Sequence, residues 1–367
     1  MPRFHFRQHT AISGNKLSHT QPRLVRDNMP GMKPIAPISA RRGVDRSAFA
    51  AEILPAARPV VLEGVVRDWP VVCAARESPA ALAALLKRHD AGLRPQVVEA
   101  PPDVAGRIFF RDDMTGFAFE RRAAGIGETV DRLIGLWDDP KPPGVFIESL
   151  PAEPYLPGFA AAHPMPLLDP RVAPRVWIGN AVKINTHFDL VDNIACVVAG
   201  RRRFTLFPPD QVSNLYLAPL EFTPSGAPVS LVQHTQPDLA RFPRYAEAMR
   251  HAQQAELEPG DALFIPYGWW HHVESLAPLN VLVNFWWNDA ESGGAPHGAL
   301  LHSVLAIRDL PETQRAVWQA LFRELVFTAP ERALAHLEAG ARGMLGPPSP
   351  ERTRAIRERL ARDLNRS

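Results

Sequence analysis

Proline limits what this chain can become. Its 38 prolines fall in clusters: around Pro30 to Pro37, Pro101 and Pro102, Pro140 to Pro143, Pro151 to Pro170, Pro208 and Pro209, and Pro347 to Pro350. A proline lacks the N–H that helices and sheets use and fixes its own φ, so each cluster reads as a loop between short elements. Between about Arg175 and Trp287 the runs that remain are VWIGN, AVKINTHFDL, NIACVVAG, RRFTLFPP, DALFIP and NVLVNFWW. All are short and rich in β-branched and aromatic residues, and such a series predicts a barrel or a sandwich.

The flanks differ. From about Val44 to Ser149 helix-like and strand-like pieces alternate, with ARPVVLEGVV as a buried strand and SPAALAALLKRH as a helix capped by Ser78. Beyond Gly298 the pattern turns helical. Asp309-Leu310-Pro311-Glu312 reads as a helix start, with Asp309 as cap, an early proline and an acid in the first turn. Val317, Leu321 and Leu325 then form an apolar stripe beside Trp318 and Phe322. That stripe needs a partner surface, either the barrel or the same helix of a second subunit. The tail ERTRAIRERLARDLNRS reads as a charged, solvated helix. The expected division is a disordered arm over 1–33, an α/β region over 34–150, the β core over 151–290, and a helical region over 291–367 that is a candidate homodimerisation element.

Lys and Arg exceed Asp and Glu by only two, 41 against 39. No strong field for nucleic acid or a membrane surface follows from that balance. The first thirty residues are polar and basic, neither a secretory signal nor a membrane span. Of the two cysteines, Cys196 sits in an apolar run and reads as a small buried hydrophobe, so no disulfide framework or zinc pair is on offer. A reducing cytoplasm is the expected compartment.

The chemistry concentrates in two segments. In Thr186-His187-Phe188-Asp189 the histidine and the acid are two apart, so on a strand they point to one face. They are two thirds of a 2-His-1-carboxylate triad, which suits non-haem iron(II) and leaves coordination positions open. An HxD tripeptide is common by chance. The second segment, Glu258-Pro-Gly-Asp261 followed by ALFIP and Trp269-Trp270-His271-His272, adds the missing ligand far along the chain. Adjacent histidines on an extended chain point opposite ways, so only one of the two reaches the metal. The four residues Trp269, Trp270, Trp286 and Trp287 are candidates for an apolar wall or for core.

The order PVVLEGVVRDWP, THFD, NIACVVAGRRRFTLFPPDQ, PGDALFIPYGWWHHVES, VLVNFWW resembles the cupin-like JmjC proteins. It particularly resembles the branch that holds the asparaginyl hydroxylase of hypoxia-inducible factor. The resemblance runs from about Pro59 to Trp287. It implies a mainly β fold with flanking helices, built on a double-stranded β-helix of the cupin or jelly-roll kind. It also implies iron(II) held by His187, Asp189 and His271, with 2-oxoglutarate as co-substrate and O2 as oxidant. By position, Arg202 stands where the family pairs a basic residue with the distal carboxylate of 2-oxoglutarate, often a lysine. Arg201 and Arg203 point to the other face, as solvated residues. Asn193 and Asn284 match positions close to the co-substrate. Two departures stand out: Phe146 replaces a tyrosine and Ile184 a threonine or serine, each a lost hydroxyl donor. Thr186 and Lys183 are candidates to compensate.

The expected activity is therefore a dioxygenase that hydroxylates a protein or peptide side chain, with the segment from Ile108 to Phe119 lining the substrate groove. A small-molecule hydroxylase is the nearest alternative. The others are a metal-dependent cupin enzyme that does not use 2-oxoglutarate and a non-catalytic binding module.

Overall fold

Each of the six short runs forms a strand, and two more complete a set of eight. These are β1 Pro174–Gly179, β2 Lys183–Phe188, β3 Asp192–Ala199, β4 Arg202–Phe207, β5 Gln253–Leu257, β6 Ala262–Ile265, β7 Trp270–Ser275 and β8 Asn280–Trp287. The structure is a computed structural model that describes residues 19–20, 34–224, 226–290 and 294–365. Apart from His19–Thr20, the N-terminal arm lies outside the described residues. Contacts divide the chain into one unit through Asn288 and another from Asp289.

The eight strands lie in two sheets, ordered β6-β3-β8-β1 and β5-β4-β7-β2, with every neighbouring pair antiparallel. Successive strands cross between the sheets except at β4 to β5, which is the winding of a jelly roll. Val60–Glu63 and then Ala40–Arg42 extend the first sheet beyond β6; Gly144–Pro151, Gln96–Ala100 and Glu120–Ala123 extend it beyond β1. In the second sheet Ala36–Pro37 lies parallel to β5 and Arg107–Ile108 parallel to β2.

The sequence of β3 shows why this sheet sits where it does. Ile194, Cys196 and Val198 face outward into a core shared with the helices Pro70–Glu77, Pro79–His89 and Ile126–Gly135. Ala195 and Val197 face inward, against Phe204, Leu206 and Leu263. A strand buried on both faces carries an unbroken apolar run instead of an alternating one. Ser78 caps the Pro79–His89 helix as expected, its Oγ accepting from the Ala81 N–H at 3.0 Å. The long excursion from Pro208 to Ala252 covers the outer face of the smaller sheet, with Leu215, Val232, Phe242 and Tyr245 packed on Phe207 and Trp270.

The second unit contains the helices Pro296–Ile307, Glu312–Phe322 (continued by a π-helical turn to Phe327) and Pro350–Leu364. One detail corrects the sequence reading. Pro311, not Asp309, takes the capping position and makes no side-chain cap bond. A proline forces the residue before it out of helical geometry, so the helix cannot begin at Leu310, and Asp309 is left too early to reach the first-turn amides. The last helix is capped by Ser349 and buries no residue, as its charge pattern predicts.

Candidate functional site

Strands β2 and β7 are neighbours, and their register sets His187 opposite His271. Between Ile184↔Val273 and His187↔His271 the register shifts, so β2 holds one more residue than β7 there. This bulge lets Ile184 and His187 both face the interior, where plain alternation would send one outward. Asp189 follows the end of β2, and its backbone carbonyl accepts from the Gly268 N–H at 3.0 Å, at the turn that delivers β7. The Asp261 carboxylate ties the earlier Pro259-Gly260 turn to the rest of the sheet by accepting from the Gly64 N–H at 2.9 Å.

One ligand atom from each of His187, Asp189 and His271 lies within 4.8 Å of the others. The two imidazole rings are 4.2 Å apart, and His271 Nε2 is 3.7 Å from Asp189 Oδ2. Each ring is oriented by its other nitrogen. His187 Nδ1 bonds the Asn185 carbonyl at 2.8 Å, and His271 Nδ1 bonds the Trp269 carbonyl at 3.1 Å. A carbonyl can only accept, so both Nδ1 atoms carry the proton and both Nε2 lone pairs are free. Burial, with the neighbouring His187, pushes the His271 pKa down to about 4 against the pull of Asp189, so its ring is neutral at pH 7. Two imidazoles and one carboxylate on one face fit a divalent first-row metal.

The same cavity, about 50 Å³, holds Arg202. Arg202 is 2% exposed, and among the described residues its Nε and Nη2 are buried without a partner. Burial lowers its pKa to about 9, which still leaves it charged at pH 7. An unpaired buried guanidinium costs several kcal/mol unless an anion meets it, and its fork matches a carboxylate.

The remaining candidates divide. Asn193 and Asn284 line the cavity and are linked to each other at 3.4 Å, while Asn284 Oδ1 accepts from Trp177 Nε1 at 2.8 Å. Phe146 and Ile184 line it too, so those positions offer hydrocarbon where a hydroxyl would donate. Thr186 does not line it; it falls in the bulge, buried, with its hydroxyl unpartnered among the described residues. Lys183 faces a different cavity on the outer side of the sheet. Arg203 does face away, but it is not solvated: it pairs with Glu256 at 2.7 Å and Glu274 at 3.8 Å. Of the four tryptophans only Trp286 borders the cavity, while Trp269, Trp270 and Trp287 belong to separate parts of the core. Sequence reading missed Trp177, Phe204 and Val273 in the cavity wall. The last two lie two residues beyond Arg202 and His271 on the same strands, so alternation alone could have found them.

Beside this cavity Phe110 bridges to Phe117 across a short hairpin. Phe109, Phe110, Phe117 and Phe119 line a groove of about 600 Å³, with Arg111 and Glu120 among its charged residues. Phe119 packs in one apolar cluster with Phe146, Trp177 and Ile184, so groove and cavity share a wall.

A family model described as a cupin-like domain matches residues 46–293. Lysine-specific demethylase JMJ31 of Arabidopsis thaliana is 37% identical over 121 residues, which is 33% of this chain and 22% of that protein. Human HSPB1-associated protein 1 is 39% identical over 113 residues, 30% of this chain and 22% of its own length. Human tRNA wybutosine-synthesizing protein 5 is 36% identical over 107 residues, 29% of this chain and 31% of its own length. The matched stretch thus spans less than a third of each of these relatives.

Proposed function

Since the chain belongs to the cupin-like domain family, with JmjC-type relatives, we propose that it is an iron(II)- and 2-oxoglutarate-dependent hydroxylase. The observation that carries this reading is one cavity holding both a face of free Nε2 and carboxylate ligands and an unpaired, buried Arg202. His187, Asp189 and His271 would hold the metal. Arg202 would hold the distal carboxylate of the co-substrate, and Asn193 and Asn284 border the space between. When bound, the metal and co-substrate supply the O2-activating oxidation. The protein orients the ligands through the Asn185 and Trp269 carbonyls, and the hydrocarbon of Phe146, Ile184 and Val273 keeps water from the site.

A protein or peptide side chain is the substrate class that fits best. One relative is named for acting on lysine and another for associating with a protein. The phenylalanine-lined groove accepts an extended chain, and the near balance of charge argues against the nucleic acid that a third relative's name implies. A second copy of the chain is the proposed partner of the apolar helical stripe. No helix among the described residues is long and apolar enough to cross a membrane. Both cysteines are free, which suits the cytoplasm.

The test is anaerobic addition of iron(II) and 2-oxoglutarate to the metal-free protein, watching for the weak visible charge-transfer band of the chelate. The band is expected in the wild type, lost in Asp189→Ala and His271→Ala, and weakened in Arg202→Ala. Iron binding without the band would mean a metal cupin of other chemistry, which the hydrocarbon at Phe146 and Ile184 would then explain. Binding of neither would leave a non-catalytic module.

A further inference from the structure

The strand that turns His271 inward turns His272 outward, and His272 meets a second polar site. His272 is 3% exposed, and among the described residues neither of its ring nitrogens has a hydrogen-bond partner. Its ring lies 4.5 Å from that of His234, which reaches in from the excursion and bonds Tyr245 Oη through Nδ1 at 2.7 Å. A small cavity is lined by His272 and His234 together with Arg107, Lys183, Asn185 and Gln233. Its volume is about 10 Å³, so it takes one small particle and no chain.

The charges around it are unbalanced. Across the outer face of the smaller sheet the register pairs Glu256 with Arg203, Arg203 with Glu274, Glu274 with Lys183, and Lys183 with Arg107. The signs alternate until the last step, where two cations stand side by side. Like charges directly opposite in a ladder repel. Glu274, 4.0 Å from His272 Nε2, is shared with Arg203, and Glu256 serves Arg203 and Arg201. Arg107 bonds only neutral acceptors, the Val104 carbonyl and Gln233 Oε1, and Lys183 has no partner among the described residues. An imidazole in any protonation state keeps at least one N–H to donate. Two cations in the wall disfavour a metal ion there.

We propose that this cavity binds one small monovalent anion of halide size, held between the Lys183 ammonium, the Arg107 guanidinium and a ring N–H of His272. The ion would complete the alternation of charge. It would also sit on the reverse of the two strands that carry His187 and His271.

Bromide is the probe. Crystals of the whole chain soaked in sodium bromide are expected to show an anomalous peak within contact of Lys183 and His272. In solution, thermal unfolding of the wild type is expected to rise with bromide at constant ionic strength (balanced with gluconate), by about 2–4 °C for each tenfold above its Kd. Lys183→Arg should keep that response and Lys183→Met should lose it. No bromide peak in the cavity overturns the proposal, because the occupant is then water. A peak that scatters at a zinc edge instead overturns it in favour of a cation. An equal response in Lys183→Met removes the assigned ligand, and the crystal experiment stands even if that variant fails to fold.

Discussion

Arg202 holds a charge that the fold leaves unmatched among the described residues. Removing an uncompensated buried charge relieves its desolvation, and apolar replacements of buried charges have been neutral or stabilising by about 1–4 kcal/mol. Arg202→Met is therefore expected to make the metal-free protein more resistant to urea while weakening the 2-oxoglutarate chelate. A loss of stability would mean the guanidinium already has a counter-ion. His234 gives a prediction of opposite kind. Burial, with Arg203 nearby, holds its pKa at about 4, well below 6.5. His272, Tyr245, Lys183 and Arg107 are the other titratable groups around it. Between these two values the unfolded chain takes up a proton that the folded one refuses, so stability falls as pH falls from 6.5 toward 4. For one such group the loss at pH 5 is about 2 kcal/mol. Urea titrations at pH 7.5 and pH 5 should show a smaller drop for His234→Asn than for the wild type; equal drops would refute the assignment.

The turn between β3 and β4 fixes where Arg202 enters the interior, and Gly200 makes that turn. Its φ is +70°, and a Cβ there would lie 2.3 Å from Asn280 Oδ1 and 2.6 Å from the Leu279 carbonyl. A left-handed alanine alone costs roughly 1–2 kcal/mol, and the backbone clash adds to it. Gly200→Ala is expected to lower the urea midpoint and weaken the co-substrate band together; an unchanged midpoint would show that the turn can relax. The strands themselves were legible, because each short β-rich run between prolines became one strand. The meeting of His187, Asp189 and His271 was legible too, since HxD and a distal histidine survive any loop length. The bulge before His187 was not, because nothing in Asn185-Thr186 marks an extra residue; Thr186, offered as a replacement donor, does not border the cavity. Arg203 read as solvated because its partners Glu256 and Glu274 come from strands much later in the chain. The Asn284–Trp177 bond was hidden likewise, joining β8 to a strand that no motif connects with it.

At the scale of the molecule, the helical unit exposes a continuous apolar face. Val317 is 58% exposed, Trp318 43%, Leu321 41% and Leu325 46%. Isolated exposed hydrophobics are ordinary, whereas a contiguous stripe marks an interface. Light scattering is expected to give a mass near twice 40.6 kDa for the wild type and near 40.6 kDa for the Leu321→Glu, Leu325→Glu double variant. A monomeric wild type would remove the second copy from the proposal. The excursion between β4 and β5 has a different significance. Its two ends meet on neighbouring strands, with Leu206 registered opposite Gln253, so the chain departs and returns at one place in the smaller sheet. Most of the excursion is laid onto the back of the smaller sheet, but its return also bonds β2: the Ser230 N–H donates to the Thr186 carbonyl at 2.8 Å, and Val229 bridges to His187. The molecule therefore has a lining of two parts: the stretch packed on Phe207 and Trp270 can change while the front of the sheet is kept, whereas Pro228 to Ser230 is tied to the strand that carries His187 and must stay with it.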